Sequence, residues 1–289
     1  MTPSHFILPA PAKLNLFLHI TDRRDDGYHL LQTVFCLLDY GDTLHFAPAE
    51  QLSLAAAAEL GGDDNLILRA ARALQQYSGN QRGAALRLEK RLPVGGGVGG
   101  GSSDAATALL GLNYLWQLGL SLDQLAELAL PLGADVPVFV HGRSAWAEGV
   151  GEHLTPLTLP RRHYLVVHPG VSISTAAIFS DPQLTRHTPE SRVAAFLAPG
   201  SAAQFHNDCE PVATRLFPEV ASALDWLRKH TGNARMTGTG ACVFAELSDH
   251  AQGRQLLEQL PTRWQGFVAC SEVESPTHRA LAALQQQAG

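Results

Sequence analysis

A run of glycines constrains this chain more than any other feature. Six of the seven residues from Gly95 to Gly101 are glycine, within the segment PVGGGVGGGSSDAA. Each glycine loses more backbone entropy on folding than any other residue, so such a run needs a compensating purpose. Glycine lets a backbone approach a ligand closely, and the pattern from Asp104 to Leu118 predicts a helix whose free N–H groups point at the run. The segment predicts a cradle for an anion, and phosphate is the favoured one. A flexible or tightly packed loop is the alternative.

The neighbouring segments supply the order of elements that a phosphate site needs. AALRLEKRLP alternates as a strand before the glycines, and SLDQLAELALPLG predicts a second helix after the first, with Ser121 and Gln124 at capping-box spacing. Upstream, AKLNLFLHI and LLQTVFCLLDY predict strands. Asp63, Asp64 and Asn65 are candidate caps of a helix that follows them.

A second structural unit is predicted downstream. SAWAEGVGEHL and RHYLVVHPGVSI are each typical of a strand, and the stretch between them contains Pro156 and Pro160. We place a domain boundary there, giving domains 1–158 and 159–289. The later order of strand, helices, strand, helix, strand and helix predicts a second α+β layer.

Composition and charge favour a small-molecule enzyme. The net charge is −6 with a pI near 6.1, which gives no general attraction to nucleic acid or to an anionic membrane. No segment has signal-peptide form or approaches the roughly 20 apolar residues of a membrane span. The cysteines show no metal-ligand spacing and are expected to be reduced thiols, mostly packing groups. A cytoplasmic location is therefore expected. The four cysteines are Cys36, Cys209, Cys242 and Cys270.

Three other kinds of glycine-rich nucleotide site fit the sequence less well. Gly95, Gly97 and Gly100 match GxGxxG, but a dinucleotide site predicts a strand after the helix, and here a second helix follows. The lysine of a P-loop is absent before the serines, and VAIK, HRD and DFG elements of a protein kinase are absent as well. An oxidoreductase stays as a disfavoured alternative, which binding of a nicotinamide cofactor without ATP would reveal.

Separated motifs resemble the GHMP kinase superfamily, which includes galactokinase, homoserine kinase and mevalonate kinase. PAKLNLFLHI resembles its first motif, PVGGGVGGGSSDAA its phosphate-binding second and MTGTGACVFAE its third. Within the superfamily, AKLNLFL, DGYHLLQT, DNLI, LGADVPVF and NDCEP together resemble the 4-diphosphocytidyl-2-C-methyl-D-erythritol kinase family over nearly the whole chain. The third motif has threonines where relatives often have serine, so the hydroxyls are kept.

The resemblance implies a fold and an activity. The fold is a two-domain GHMP kinase, with an N-terminal α/β domain of the ribosomal-protein-S5-domain-2-like type that holds ATP and a C-terminal ferredoxin-like α+β domain. The terminal helix is free to pack back on the N-terminal domain. The activity is phosphorylation of the substrate's 2-hydroxyl by ATP and Mg²⁺ in non-mevalonate isoprenoid synthesis. A monomer or weak homodimer without nucleic-acid or membrane partners is expected.

The resemblance also implies roles for individual residues. Asp135 matches the catalytic base, and Lys13 is the cation beside it. Without the resemblance, Asp135 would be interpreted as a turn or cap residue and Lys13 as a solvated charge at the end of a strand. Asp104 is interpreted as a helix-start cap rather than a phosphate ligand. The expected ATP site consists of Asn65, Leu66, Lys90, Pro93, Val94, Gly95, Gly96, Gly97, Val98, Gly99, Gly100, Gly101, Ser102 and Ser103.

The remaining expected site residues bind the acceptor substrate or close over the phosphates. Tyr28 and His29 match the cytosine-binding pair, and Phe179 matches the ring on the other face. Asn15 shares a strand face with Lys13 and is a candidate for the methylerythritol hydroxyls, as is Thr175. The third-motif loop comprises Gly238, Thr239 and Gly240.

Two further functions stay open at the level of sequence. A related kinase of another small alcohol would have no use for the aromatic residues expected to hold a pyrimidine. A nucleotide-binding regulator without catalysis would be expected to have lost Asp135 or Lys13, and both are present.

Overall fold

Two β-sheets with their helices form the architecture of the protein in a computed structural model, which describes residues 5–57, 62 and 64–288. The candidate cap Asp63 lies outside these residues. The first sheet has six strands in the order β3-β4-β2-β5-β6, with β1 paired to β2, and only the β3–β4 pair is parallel. Its strands are β1 (Phe6–Arg23), β2 (His29–Ala49), β3 (Leu52–Ala55), β4 (Gly83–Glu89), β5 (Ala145–Glu148) and β6 (His153–Pro156).

Strand β1 joins all three hydrophobic clusters of the described chain. Leu8 packs in the cluster under the helices of the first sheet, Leu14 in the cluster between the two sheets, and Ile20 in the core of the second sheet. Irregular pairing between Pro11 and Lys13, and again after Asn15, interrupts the β1–β2 register. Such irregularities bend a strand and redirect its side chains. The first motif therefore lies where the strand passes from one layer to the other.

Four helices accompany the first sheet: α1 (Leu66–Ser78), α2 (Gly100–Leu115), α3 (Leu122–Ala129) and α4 (Val136–His141). The second helix after the glycines is confirmed, and Ser121 and Gln124 form the predicted capping box at its start. Helix α2 starts four residues earlier than predicted, inside the glycine run. Its first bonded amide is that of Ser103, which donates to the carbonyl of Gly99 over 2.8 Å.

The second sheet is antiparallel and has the order β10-β7-β9-β8. Leu165 and Val167 of its central strand pack against Leu224 and Leu227 of a long covering helix. The predicted α+β organisation is present. The strands are β7 (His163–His168), β8 (Arg235–Met236), β9 (Val243–Leu247) and β10 (Gln265–Cys270), and the helices are α5 (Thr175–Ser180), α6 (Val193–Leu197), α7 (Glu210–Leu216), α8 (Pro218–Thr231) and α9 (His250–Leu257).

The terminal helix, α10 (Pro276–Ala288), packs back on the first layer. Its Leu281 belongs to the core cluster under the first sheet, and the Thr277 hydroxyl donates to the carbonyl of Pro9 over 2.7 Å. The tyrosine hydroxyl of Tyr114 donates to the carbonyl of Leu284 over 3.3 Å. The chain thus returns to the first layer after it has formed the second, and the boundary between residues 158 and 159 stays a prediction.

Two predicted strands differ from the structure. SAWAEGVGEHL forms the hairpin β5–β6 instead of one strand, because Gly149 and Gly151, at φ +72° and +116°, turn the chain. RHYLVVHPGVSI stops at His168, since the next residue is Pro169, which cannot donate a backbone hydrogen bond. All four cysteines are buried free thiols, as expected. Within the described ranges no helix combines the length and apolar character that crossing a membrane requires.

Candidate active site

A cavity of about 990 Å³ is lined by residues of both layers. It extends from the glycine loop and the start of α2, past Lys13 and Asp135, to the turn before β2 and the helix α5. Of the predicted site residues, all except Ser103 and Gly240 line this cavity. The structure therefore gathers residues that the sequence separates by more than 200 positions.

The glycine loop has the shape that only glycine permits. Gly95, Gly97 and Gly99 have φ values of +68°, +73° and +74°. A Cβ atom on Gly97 would lie 2.4 Å from the carbonyl oxygen of Thr237, and one on Gly99 would lie 2.8 Å from the ring of Phe139. Both the backbone conformation and the lack of space exclude a side chain, so the run is an ordered loop.

The start of α2 faces the cavity with unpaired donors. Because Ser103 makes the first helical hydrogen bond, the amides of Gly100, Gly101 and Ser102 have no acceptor within the helix. Ser102 lines the cavity, whereas Ser103 is fully buried and its hydroxyl has no hydrogen-bond partner. Ser103 does not line the cavity, because one further residue of helix rotates its side chain by about 100° from that of Ser102, and its expected contribution to the phosphates stays a prediction.

Lys90 lies beside this helix start and is held by two buried carboxylates. Its Nζ donates to Oδ2 of Asp42 over 2.6 Å and to Oδ2 of Asp104 over 2.7 Å. Burial alone would lower the pKa of Lys90, but the charges of Asp104 and Asp42 outweigh it and raise that pKa. Asp104 is not a cap: Gly99 occupies the cap position, and the Asp104 carboxylate is buried, with its pKa raised mainly by burial.

Lys13 and Asp135 meet in the middle of the cavity. The Lys13 ammonium lies 3.0 Å from Oδ2 of Asp135, 2.5 Å from Oδ1 of Asn15 and 3.3 Å from the carbonyl oxygen of Gly97. Asp135 immediately precedes α4, yet its side chain makes no capping hydrogen bond. The carboxylate is therefore available to the cavity and is paired with a cation from the first motif.

Asn15 lines the cavity while its amide is engaged with neighbours. Its Oδ1 accepts from Lys13, and its Nδ2 donates to Oγ1 of Thr33 over 2.9 Å. Its backbone amide donates to Oγ1 of Thr237 over 2.9 Å. Asn15 thus fixes the direction of the lysine side chain.

The third-motif loop is fastened to the glycine loop. The amide of Cys242 donates to the carbonyl of Gly96 over 3.0 Å, and the Thr237 hydroxyl donates to the carbonyl of Gly97 over 3.3 Å. Asn207 supports the loop from behind, since its Nδ2 donates to the carbonyls of Met236 and Gly238 over 2.9 and 2.8 Å. Gly240 is not among the lining residues, and its amide donates to the carbonyl of Thr237 within the loop over 3.0 Å.

The other end of the cavity carries the predicted aromatic residues. The rings of His29 and Phe179 stack with centroids 5.0 Å apart and an interplanar angle of 25°, while Tyr28 is 64% exposed. A base inserted between two rings needs about 7 Å, twice a van der Waals contact, so no base fits between His29 and Phe179. Tyr28, His29 and Phe179 all line the cavity at this end, so the open space lies beside the stacked pair. Thr175 bonds Thr239 through their hydroxyls over 3.0 Å.

Asn65 and Leu66 lie where α1 begins, at the end of the cavity that the glycine loop forms. The Asn65 side chain accepts from the amide of Ile67 over 2.8 Å, so the predicted cap is confirmed. Leu66 lies near Gly101, since a Cβ atom there would be 3.5 Å from Cδ1 of Leu66. Asn65 thus caps α1, and Leu66 provides an apolar side chain beside the start of α2.

Comparison with known proteins identifies the family. The GHMP kinases N terminal domain matches residues 65–143, and the GHMP kinases C terminal domain matches residues 193–266. A 4-diphosphocytidyl-2-C-methyl-D-erythritol kinase from Alcanivorax borkumensis is 64% identical over 280 residues, which cover 95% of this chain and 93% of the relative. The chain belongs to the 4-diphosphocytidyl-2-C-methyl-D-erythritol kinase family.

Solved structures agree with this family. A crystal structure of 4-(cytidine 5'-diphospho)-2C-methyl-D-erythritol kinase is 34% identical and superposes with a TM-score of 0.81, covering 92% of this chain and 100% of that one. A more distant solved structure, L. major mevalonate kinase in complex with R-mevalonate, is 14% identical with a TM-score of 0.68, covering 95% of this chain and 97% of that one. The latter shows the shared GHMP kinase fold alone.

In this 4-diphosphocytidyl-2-C-methyl-D-erythritol kinase family member, sequence reasoning missed three supporting residues. Asp42, Asn207 and Arg186 touch predicted site residues from behind or from the side. The motif NDCEP contains Asn207, and its resemblance to the family was the available signal for it. Asp42 and Arg186 had no comparable signal, because their partners are far away in sequence.

Proposed function

We propose that the protein transfers the γ-phosphoryl group of ATP to the 2-hydroxyl of 4-diphosphocytidyl-2-C-methyl-D-erythritol, giving the 2-phosphate and ADP. One observation carries this proposal: the Lys13–Asp135 pair lies in one cavity between a phosphate cradle and an aromatic end. The relatives named above supply the identity of the acceptor. The proposal places the step in non-mevalonate isoprenoid synthesis.

ATP binding is assigned to the glycine loop and the start of α2. Phosphoryl transfer depends on positioned phosphates and neutralised charge more than on covalent chemistry by the protein. The free amides at the helix start and the positive end of its dipole suit the phosphates, and Lys90 lies close to them. Asn65 and Leu66 are assigned to the adenosine end of the same site.

The acceptor hydroxyl is assigned to the carboxylate of Asp135. The hydroxyl oxygen attacks the γ-phosphorus, the bond from that phosphorus to the β–γ bridging oxygen breaks, and the hydroxyl proton passes to the carboxylate. A carboxylate is a weak base, with an ordinary pKa of about 3.9, but a loose transition state releases the proton late. Lys13 stabilises the carboxylate and the charge on the phosphoryl group in transit.

Mg²⁺ is part of this proposal, and the donors present are compatible with it. Among the described residues no cluster of three or more histidine, cysteine, aspartate or glutamate side chains could form an all-protein metal cage. Mg²⁺ bound to a nucleotide needs only one or two protein oxygens, because phosphates and water supply the rest. Ser102 and Asp104 offer such oxygens on the cavity wall, the latter with Oδ1 unbonded. The ion would neutralise charge on the phosphates.

The deciding experiment is ADP release with MgATP and two acceptors. We compare 4-diphosphocytidyl-2-C-methyl-D-erythritol with the same alcohol phosphate lacking the cytidine. Turnover with the cytidylyl compound alone supports both the reaction and the use of the aromatic end. Turnover with another small alcohol instead would favour a related kinase, and ATP binding without any turnover would favour a nucleotide-binding regulator.

Four expectations stay predictions alongside this function. They are the cytoplasmic location, the state of monomer or weak homodimer, the lack of a nucleic-acid or membrane partner, and the domain boundary between residues 158 and 159.

A further inference from the structure

Arg186 connects the two sides of the aromatic end of the cavity. Its guanidinium donates from Nε to Nε2 of His29, the first residue of β2, over 3.1 Å. The same group donates from Nη2 to the carbonyls of Phe179 and Asp181 over 3.0 and 2.8 Å, and from Nη1 to the carbonyl of Leu184 over 3.1 Å. Four acceptors therefore fix the orientation of one side chain.

This contact determines which nitrogen of His29 carries the proton. An arginine N–H can only donate a hydrogen bond, so Nε2 of His29 must accept and must be unprotonated. In a neutral imidazole the proton then lies on Nδ1. Burial lowers the pKa of His29, and the charges of Arg186 and Arg23 lower it further, which keeps the ring neutral.

Nδ1 of His29 is the polar atom left for a ligand. It forms no hydrogen bond within the described part of the chain. It is also not one of the fully buried atoms without a partner, so a ligand can reach it. The residue lines the cavity together with Tyr28 and Phe179, and its ring stacks on that of Phe179. Because Nε2 is bonded to Arg186, a base bound at this end of the cavity would meet the His29 ring at Nδ1.

We propose that Arg186 is a positioning residue for base selection: by occupying Nε2 of His29 it keeps that ring a hydrogen-bond donor at Nδ1 toward the base. Cytosine presents acceptors at N3 and O2, and uracil presents an N–H donor at N3. A fixed donor therefore accepts cytosine N3 and opposes uracil N3. The inference rests on the proposed function, in which the acceptor carries a cytidine diphosphate.

The first test measures the tautomer of His29 in the wild-type protein, and variants serve only for assignment and comparison. Two-dimensional ¹H–¹⁵N spectra of the histidine rings in the whole protein, assigned with His29→Gln, should show protonated Nδ1 and unprotonated Nε2 for His29 at pH 7.5. A ring protonated at Nε2 overturns the proposal. In Arg186→Leu the ring should shift toward the Nε2-protonated form, since the constraint is gone.

The second test measures base preference with CDP and UDP as probes. The wild-type protein should bind CDP at least roughly tenfold more tightly than UDP, because a wrong partner leaves buried polar groups unpaired. Arg186→Leu should reduce this ratio by about tenfold, whereas Arg215→Leu should keep it. Arg215 is the matched control. It pairs with the carboxylate of Asp181 over 2.6 Å, whereas Arg186 bonds the carbonyl of that residue, and Arg215 does not bond His29.

The outcomes separate this inference from the proposed function. An unchanged CDP/UDP ratio in Arg186→Leu overturns the inference, as does a wild-type protein that binds the two equally. Failure of the proposed function gives a different result: no phosphoryl transfer to the cytidylyl substrate, with the His29 tautomer and the preference for CDP both present.

Discussion

The ammonium of Lys13 lies 3.0 Å from Oδ2 of Asp135, and the two side chains differ sharply in their access to solvent. The lysine side chain is 3% exposed and the aspartate 36%. The buried cation is fixed by Asn15 and by the carbonyl of Gly97, while the carboxylate keeps an open side toward the cavity. The pair is thus built to hold its charge in place and to present one oxygen to a substrate.

Replacing Asp135 tests that arrangement. Asp135→Asn keeps the shape but removes the proton acceptor, so kcat should fall by about 10²- to 10⁴-fold with little change in the binding of either substrate. Steady-state ADP release and calorimetric binding measure the two effects. Near-normal turnover contradicts the assigned role. Asp123→Asn, on the exposed start of α3, is the control and should be silent.

Replacing Gly97 tests the shape of the loop. In Gly97→Ala the new methyl group would lie 2.4 Å from the carbonyl of Thr237 in a conformation of φ +73°. The substitution should abolish ATP binding or lower the free energy of unfolding by at least roughly 2 kcal/mol. Gly79→Ala is the matched control, with φ +64° and open space, and should lower it by only about 1 kcal/mol with ATP binding intact. Equal behaviour of the two variants would refute the steric argument.

Replacing Asn207 tests the support of the third-motif loop. In the wild type, the Asn207 amide donates to the carbonyls of Met236 and Gly238. Asn207→Asp places a carboxylate against these carbonyls instead. The catalytic efficiency with ATP should fall by about tenfold or more, since a buried unpaired charge costs more than 1 kcal/mol. Asn113→Asp, away from the cavity, likewise replaces a donating amide, because Nδ2 of Asn113 donates to the carbonyl of Leu120, while Oδ1 can still accept from the amide of Leu120. It should lower thermal stability and leave the kinetics unchanged, and a kinetic defect shared by both variants would argue against a specific role for Asn207.

The stability of the protein should depend on pH through His19. Burial, assisted by His206 and opposed by Asp208, lowers its pKa to about 4, and the side chain is 4% exposed. The unfolded chain then binds a proton at His19 more readily than the folded protein does. The free energy of unfolding is therefore highest above pH 6.5 and decreases as the pH falls toward 4. The loss at pH 5 should be roughly 1–2 kcal/mol. Urea unfolding at pH 7.5 and 5 measures it, and His19→Phe should show a smaller loss; an equal loss would assign the effect to other groups.

The glycine loop and its helix could be predicted from sequence because their cause is local. The entropy of six glycines and the order of strand, loop and helix are both properties of one short segment. The start of α2 was displaced by four residues, however, and each residue of a helix turns the side chain by about 100°. That is why the sequence could nominate Ser102 and Ser103 but could not tell which of them faces the cavity.

The ion cluster around Lys90 depended on tertiary structure. Asp42 and Lys90 are brought together by the antiparallel pairing of β2 with β4, in which Thr43 lies opposite Glu89. Asp104 joins them from α2, where sequence alone suggested a cap. Strand register and helix rotation decide such contacts together, and neither is readable from residue types.

The aromatic end shows a similar division. Tyr28, His29 and Phe179 were named through a resemblance, and the structure brings His29 and Phe179 into contact across 150 residues. Arg186, which bonds His29, lies in a segment with no regular structure and no pattern of its own. Its role becomes visible only when the acceptors of its hydrogen bonds are known.

The bonds between the glycine loop and the third-motif loop have a consequence for the order of synthesis. The carbonyls of Gly96 and Gly97 accept from Cys242 and Thr237, which the ribosome adds some 140 residues later. A nascent chain that has just completed the glycine-rich segment carries every residue of the phosphate cradle without the partners that hold its shape. Affinity for ATP should therefore arise late, when the last part of the chain has emerged and closed against the first.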